Sequence, residues 1–352
     1  MRKLLLASPW VTCLIAGTFF VWPSTMAKKL GLTCVSFWTE PATVLTLLYH
    51  MDLLVANGHH TCPAIKPTDL MSYLQFDIPP VVRQILSKAV EETMGADFLL
   101  CNTVEELELE AISALQREKT FYAVGSIFPA DFARSTIAAN LWTESNCSQW
   151  LDSKPAGSVL YISFGIYAKV SKGDLEEIAY GILDSKVNFI WAIRRDILSS
   201  DEPEPLPKEF LEGCHERGIV VPWCRQREVL SHPSIGGFLT HCGWNSVLES
   251  IWCAVPLLCF PLVSNQFTNR KLVVQDWKIG IEIGGLSSVS RNEVSKKIES
   301  LMGGEIGDQA RKEIKELKKA LETALSPNGS SQMNFDQFIE DLMKQSQKRL
   351  MK

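Results

Sequence analysis

Short, almost wholly apolar runs recur along the chain from Thr12 onward, and each gives way to a longer stretch with helical spacing. The runs are Thr12 to Ala16, Phe98 to Cys101, Phe121 to Val124, Val159 to Ser163, Phe189 to Ile193, Ile219 to Val221, Phe238 to Thr240, Pro256 to Phe260 and Ile281 to Ile283. A strand with one wet face alternates polar and apolar residues, so unbroken apolar runs predict strands covered on both faces. Such strands, interleaved with helices, belong to parallel, doubly wound α/β sheets. The helices carry their own stops. Ala42 to Asn57 ends at Gly58, Val81 to Met94 ends at Gly95, and Leu175 to Leu183 keeps the same apolar spacing. Ser290, with Glu293 three residues later, reads as a capping box that opens a further helix.

A chain of 352 residues exceeds what one core usually serves and predicts two packed domains. Prolines 129 and 155, in a stretch without sustained apolar periodicity, mark the connection between them. The expected division is residues 1–135 as a first domain, 136–156 as a linker, 157–330 as a second domain and 331–352 as a closing helix. The amphipathic part of that helix, Phe335 to Met343, is expected to pack back on the first domain.

With 35 basic and 40 acidic side chains the net charge is −5, and no block of six basic residues occurs. This excludes a protein that holds nucleic acid by neutralising phosphates and leaves a small-molecule substrate. The ten cysteines form no CxxC pair and sit mostly in apolar runs, so neither a zinc site nor a disulfide framework is expected. Reduced core cysteines point to the cytoplasm. The opening residues Met1 to Leu6 and the apolar stretch that follows imitate a signal peptide or a membrane span. Pro9 interrupts them, and no small-x-small cleavage site precedes Lys28 and Lys29. A buried strand feeding a helix, without stable membrane insertion, is the reading favoured over a targeting segment, and a monomer is expected.

The densest chemistry lies in Gly236 to Ser250, GGFLTHCGWNSVLES: a strand, a tight loop at Gly243 and a helix opening at Asn245 or Ser246. A turn of this kind at the carboxyl end of a parallel strand aims backbone N–H groups and the positive end of a helix dipole outward, which suits phosphate. His241, Asn245 and Ser246 add donors at the same mouth. On spacing alone, Ser246 and Glu249 read rather as an ordinary capping box. Neither GxGxxG nor GxxxxGK[ST] is present, which disfavours a nicotinamide-dependent oxidoreductase and a P-loop protein.

A wider window is more specific. Trp223, Gln226, His232, Gly236, Phe238, Thr240, His241, Cys242, Gly243, Trp244, Asn245, Ser246, Glu249, Pro256, Pro261 and Gln266 fall in one frame. This frame resembles the nucleotide-sugar signature of plant family 1 UDP-glycosyltransferases, WxxQ…HxxxGxFxTHCGWNSxxEx…P…P…DQ. SVLYISFG, FIWAIR, CLIAGTF, VSFWTEPA and FTNRKLVVQDWKIG extend the resemblance over the whole chain, nearer to the 86A-like branch than to others. It implies the GT-B fold, two facing doubly wound Rossmann-like domains with the first one incomplete here. It also implies inverting transfer of glucose from UDP-glucose to a small lipophilic hydroxyl, with no metal and no cofactor.

Carried over residue by residue, the resemblance places Trp223 on the uracil, Gln226 and Glu249 on the ribose, and His241, Asn245 and Ser246 on the diphosphate. Thr39, Trp244, Asn265 and Gln266 would meet the sugar. Four departures accompany these matches. The aspartate that orients the family's catalytic histidine is replaced by Gly17, and the serine of FGS by Ile166. The aspartate of DQ is Asn265. The histidine itself belongs to an upstream segment, roughly a hundred residues long in complete members. No residue of this sequence is matched to it, so no catalytic base is assigned and transfer by this chain is expected to be slight. A non-catalytic UDP-sugar-binding remnant is the alternative reading.

Overall fold

The structure is a computed structural model and describes residues 11–56, 66–75, 79–128, 145–199, 204–214, 216–284 and 288–350. Met1 to Trp10, the expected helix stop at Asn57 and Gly58, and residues 136–144 of the expected linker lie outside them. The chain divides into two compact units. One comprises residues 1–67, 73–127 and 319–352, and the other residues 68–72 and 128–318.

The first unit holds a parallel sheet of four strands in chain order: β1 (Cys13–Gly17), β2 (Thr33–Trp38), β3 (Phe98–Cys101) and β4 (Phe121–Ala123). Strand β2 is absent from the apolar runs read in the sequence, because Thr33 and Ser36 interrupt TCVSFW. Both are buried, and the strand sits between β1 and β3. Strand β1 corrects the expectation of cover on both faces: among the described residues it pairs with β2 alone, and Ile15 is 56% exposed.

The helix expected over Ala42 to Asn57 is two helices, Ala42–Tyr49 and Met51–Ala56, with His50 between them at φ −96° and ψ 16°. The rings of Tyr49 and His50 meet edge-on at 4.9 Å at this break. The apolar spacing runs through it unchanged, which is why the sequence reads as one helix. The buried carboxylate of Glu108 accepts from the amides of Ala42 (3.0 Å) and Thr43 (2.9 Å), placing negative charge at the positive end of the first helix.

The helix Ser330–Leu350 packs on β4. Phe338, 2% exposed, lies edge-on to Phe98 and Tyr122 at ring separations of 5.9 and 5.6 Å, and the Tyr122 hydroxyl donates to Asp341 at 2.9 Å.

The second unit holds β5 (Val159–Ser163), β6 (Asn188–Ala192), β7 (Gly218–Val221), β8 (Ile235–Thr240), β9 (Leu257–Cys259) and β10 (Gly280–Glu282). They form one parallel sheet in the order β10-β9-β8-β5-β6-β7. The chain therefore winds outward from β5 to β7, returns to the other side of β5 as β8, and winds outward again. Leu160, Ile162 and Trp191 face the helix Lys172–Asp184 through Leu175, Ile178 and Ile182. Val159, Tyr161 and Phe238 face the other layer with Leu151, Val229 and Leu230. The Ser290 hydroxyl accepts from the amide of Glu293, as the capping pattern predicts. Among the described residues, no helix is long and apolar enough to cross a membrane.

Replacing Phe338 with alanine removes the aromatic wedge between the last helix and the first sheet. We expect a loss of about 3–5 kcal/mol in that unit. Denaturant unfolding followed by tyrosine and tryptophan fluorescence measures it, and the second unit should stay folded at low denaturant.

Candidate functional site

Where a doubly wound sheet reverses its strand order, the connections leaving the two central strands run to opposite faces and a crevice opens beyond their carboxyl ends. Here those strands are β5 and β8, whose last residues Ser163 and Thr240 are in register. A crevice of about 490 Å³ lies beyond them.

After Thr240 the chain turns through His241, Cys242 at φ +64° and Gly243, the N-cap of the helix Trp244–Cys253. Cys242 lies in the left-handed region and is held there from both sides. Asn269 Nδ2 donates to its carbonyl at 2.8 Å, and its own amide donates to Thr240 Oγ1 at 3.3 Å. The helix opens one or two residues earlier than expected. It has neither a side-chain cap nor an acidic residue in its first turn, so nothing there offsets the positive end of its dipole.

The His241 ring is wedged between two loops. A β-carbon on Gly165 or on Gly243 would come within 2.6 Å of its Nε2, and Gly165 also adopts φ +70°. Burial pushes the imidazole down to about 4, against the pull of the Ser163 backbone and aided by Arg194. The ring is therefore neutral at physiological pH. Its Nδ1 is buried without a hydrogen-bond partner. The loop after β5 is tied down by the buried Arg194, which donates to the carbonyls of Gly165 (2.7 Å) and Ala168 (2.8 Å). Ile166, 39% exposed, stands on that loop at the crevice.

Gln226 opens the short helix Gln226–Leu230 after β7 and gathers the other wall. Its Nε2 donates to Ser246 Oγ at 3.0 Å and to Glu249 Oε2 at 2.8 Å, while its Oε1 accepts from the Tyr161 hydroxyl at 3.4 Å. Ser246 and Glu249 therefore do not form the capping box that their spacing alone favoured. They lie inside the helix, one turn apart, and both meet Gln226. Burial holds the Glu249 carboxyl above the ordinary range, opposed by the Gln226 amide and by Arg227, whose Nε is 3.9 Å from Oε1.

Trp223, Gln226, His241, Trp244, Asn245, Ser246, Glu249 and Gln266 all line the one crevice. Trp244 is only 4% exposed, and Gln266 turns its Oε1 inward to accept from the amides of Leu262 (2.8 Å) and Val263 (3.0 Å). Asn265 is not among the lining residues; it is buried as the N-cap of the helix Gln266–Lys271. Thr39 belongs to the first unit, exposed just beyond β2. Three residues that shape the site, Asn269, Arg194 and Tyr161, lie in segments that carry the resemblance, but each acts through another group, so residue type and spacing give it no role.

The sequence model of the UDP-glucoronosyl and UDP-glucosyl transferase family matches residues 130–348. UDP-glycosyltransferases 86A1 and 86A2 of Arabidopsis thaliana are 48% and 52% identical to the chain. Their alignments cover 97% and 95% of it, and 73% and 72% of their own lengths. The chain belongs to the plant family 1 UDP-glycosyltransferases, in their 86A branch.

Solved UDP-glycosyltransferases share the fold. Phytolacca americana UGT2, solved with UDP-2fluoro-glucose and pterostilbene, superposes with a TM-score of 0.83 at 31% identity, covering 97% of this chain and 78% of its own. Os79 of O. sativa, solved with UDP, gives 0.85 at 26% identity, covering 97% and 80%. This UDP-glycosyltransferase accordingly has the GT-B fold of its structural neighbours.

The raised pKa of Glu249 carries a stability consequence. Its neutral form is favoured in the folded state, so the cost of its charge is absent below the ordinary carboxylate value of 4.5 and grows as pH rises through the folded-state value. We expect Glu249→Gln to raise the melting temperature of the ligand-free protein at pH 7 by about 2 °C or more. The gain should fade toward pH 4.5. Thermal melts of the two proteins across pH check the sign.

Proposed function

We propose that this UDP-glycosyltransferase binds UDP-glucose in the crevice between β5 and β8 and directs its hexose to a small lipophilic hydroxyl acceptor, with inversion and without a metal. The observation that carries the reading is the turn His241 to Ser246. A neutral imidazole, a helix N-terminus without acidic residues and two small polar side chains there converge on one wall. A diphosphate at that wall meets donors and no competing carboxylate. Trp223 offers a flat π face for uracil, and Gln226 with Glu249 offers an amide and a carboxylate for ribose hydroxyls. As the acceptor oxygen attacks the anomeric carbon and the bond to UDP breaks, negative charge grows on the diphosphate, where the helix terminus stabilises it.

Trp244 and Gln266, which line the crevice, take the hexose in this reading. The bound nucleotide sugar is a substrate, and no cofactor is called for. Two solved relatives, one in complex with UDP-2fluoro-glucose and pterostilbene and the other with UDP, support this choice of ligands. A cytoplasmic monomer completes the proposal, in keeping with the nine described cysteines, all of them free thiols.

Gly17 favours a second reading, in which the donor is bound but seldom turned over. Glycine at position 17 carries no carboxylate to orient a base, and a positioned base contributes roughly 10²- to 10⁴-fold to proton removal. Calorimetry with UDP-glucose, followed by product analysis over a panel of phenols and terpenoid alcohols, tests both readings together. We expect binding with little glucoside formed. Steady glucosylation would remove the second reading, and no heat with millimolar UDP would remove the first.

Ile166 presents an apolar side chain at the diphosphate end of the proposed site, where the family motif has serine. Ile166→Ser is expected to tighten UDP binding by about threefold to tenfold through one added hydrogen bond. An unchanged dissociation constant would show that this loop does not reach the phosphates.

A further inference from the structure

Residues 68–72 are far in sequence from the rest of the second unit yet form part of it. Their contacts concentrate on the segment Ser264 to Arg270. The Ser72 amide donates to the Ser264 carbonyl at 3.0 Å, and the Ser264 amide donates back to Ser72 Oγ at 2.7 Å. Thr268 Oγ1 donates to the Asp69 carbonyl at 2.9 Å. Arg270 donates to the Thr68 carbonyl at 3.0 Å and to the fully buried Asp69 carboxylate at 2.8 Å. The pentapeptide is thus fastened at both ends, once through a buried ion pair and once through Ser72.

The Ser72 end is fastened at a strained point. Ser264 has φ +62°, a left-handed conformation that a residue with a β-carbon adopts only when its surroundings compel it. Ser72 holds both the amide and the carbonyl of that residue. Two residues later Gln266 closes the same turn, accepting from the amides of Leu262 and Val263 through Oε1. With its oxygen engaged there, the amide group of Gln266 meets the crevice through nitrogen, and so as a donor.

The geometry points to Ser72 as a positioning residue for the hexose end of the donor site: by bonding both sides of Ser264 it holds the left-handed turn that presents the Gln266 amide nitrogen to the sugar. This rests on the proposal that Gln266 meets the hexose. Ser72 does not touch the ligand. Its effect falls on the one lining side chain that depends on this turn; Asn269, further along the helix that follows, ties the diphosphate turn through the Cys242 carbonyl and not through Ser264.

Calorimetry on the full chain with UDP and with UDP-glucose tests this through the ratio of the two dissociation constants. Ser72→Ala is expected to weaken UDP-glucose binding by about threefold to tenfold relative to UDP. Ser72→Thr keeps the hydroxyl and should keep the wild-type ratio. Thr268→Val removes the other hydroxyl tie with little change of shape and should shift the ratio in the same direction, which covers the case of a poorly folding Ser72→Ala. In Ser72→Ala/Gln266→Ala the ratio should be no worse than in Gln266→Ala alone, a non-additivity that a merely bracing Ser72 would not produce.

Equal weakening of UDP and UDP-glucose in Ser72→Ala, or an unchanged ratio in it while Gln266→Ala shifts the ratio, overturns the role of Ser72 and leaves the donor site standing. If Gln266→Ala itself leaves the ratio unchanged while UDP still binds, the hexose assignment fails and the role of Ser72 with it.

Discussion

The His241 imidazole lies so close to the backbone at Gly165 and Gly243 that neither position has room for a β-carbon. This contact joins the two loops that leave the central strands of the second sheet, and much of the site follows from it. The ring fills the space between the loops and lines the crevice half-buried. Its partial desolvation there is what keeps it uncharged. Neighbouring groups then serve the same constraint. Arg194 fastens one loop by two carbonyls, and Asn269 fastens the other through the left-handed Cys242. An amide and a guanidinium that touch no ligand thereby decide where the histidine stands.

Two glutamates show how differently one residue type is used. Glu108, buried in the first unit, accepts from two helix amides and from the Thr103 hydroxyl at 2.6 Å. Its lone pairs are engaged within the protein, as a structural charge requires. Glu249 has one neutral amide at 2.8 Å and an arginine nitrogen at 3.9 Å. A carboxylate so sparsely matched in a crevice wall is costly without a ligand, and such a site gains when hydroxyl donors arrive.

How far the sequence could be read depended on the kind of signal. The runs VLYIS, NFIWA and GGFLT announce the strands of the second sheet because burial on both faces leaves only apolar residues. Strand β2 does the same work with Thr33 at its start and Ser36 in its middle, and so escapes any reading based on apolarity alone. The break at His50 escapes too, because apolar spacing does not register a local departure of φ and ψ.

At the site, eight matched positions of one sequence frame converge because the connections after β7, β8 and β9 all open into the same crevice. Asn265 falls outside the lining although its neighbour Gln266 lies within it, since consecutive residues at a helix start point in different directions. Asn269, Arg194 and Tyr161 could not be found from local pattern. Each is defined by a partner that only the fold brings near.

The position of Phe338 bears on the order in which the molecule is made. The sheet near the beginning of the chain is completed by a side chain close to its end, and the Tyr122 hydroxyl finds its acceptor 219 residues downstream. Residues 68–72 and 128–318 leave the ribosome before that helix does, so the second unit has all its parts while the first still exposes the seat of Phe338. Domains emerging at the amino end usually settle first during synthesis. Here the unit that is begun first is finished last, and its apolar seat is open to chaperones, or to mispairing, throughout translation of the other.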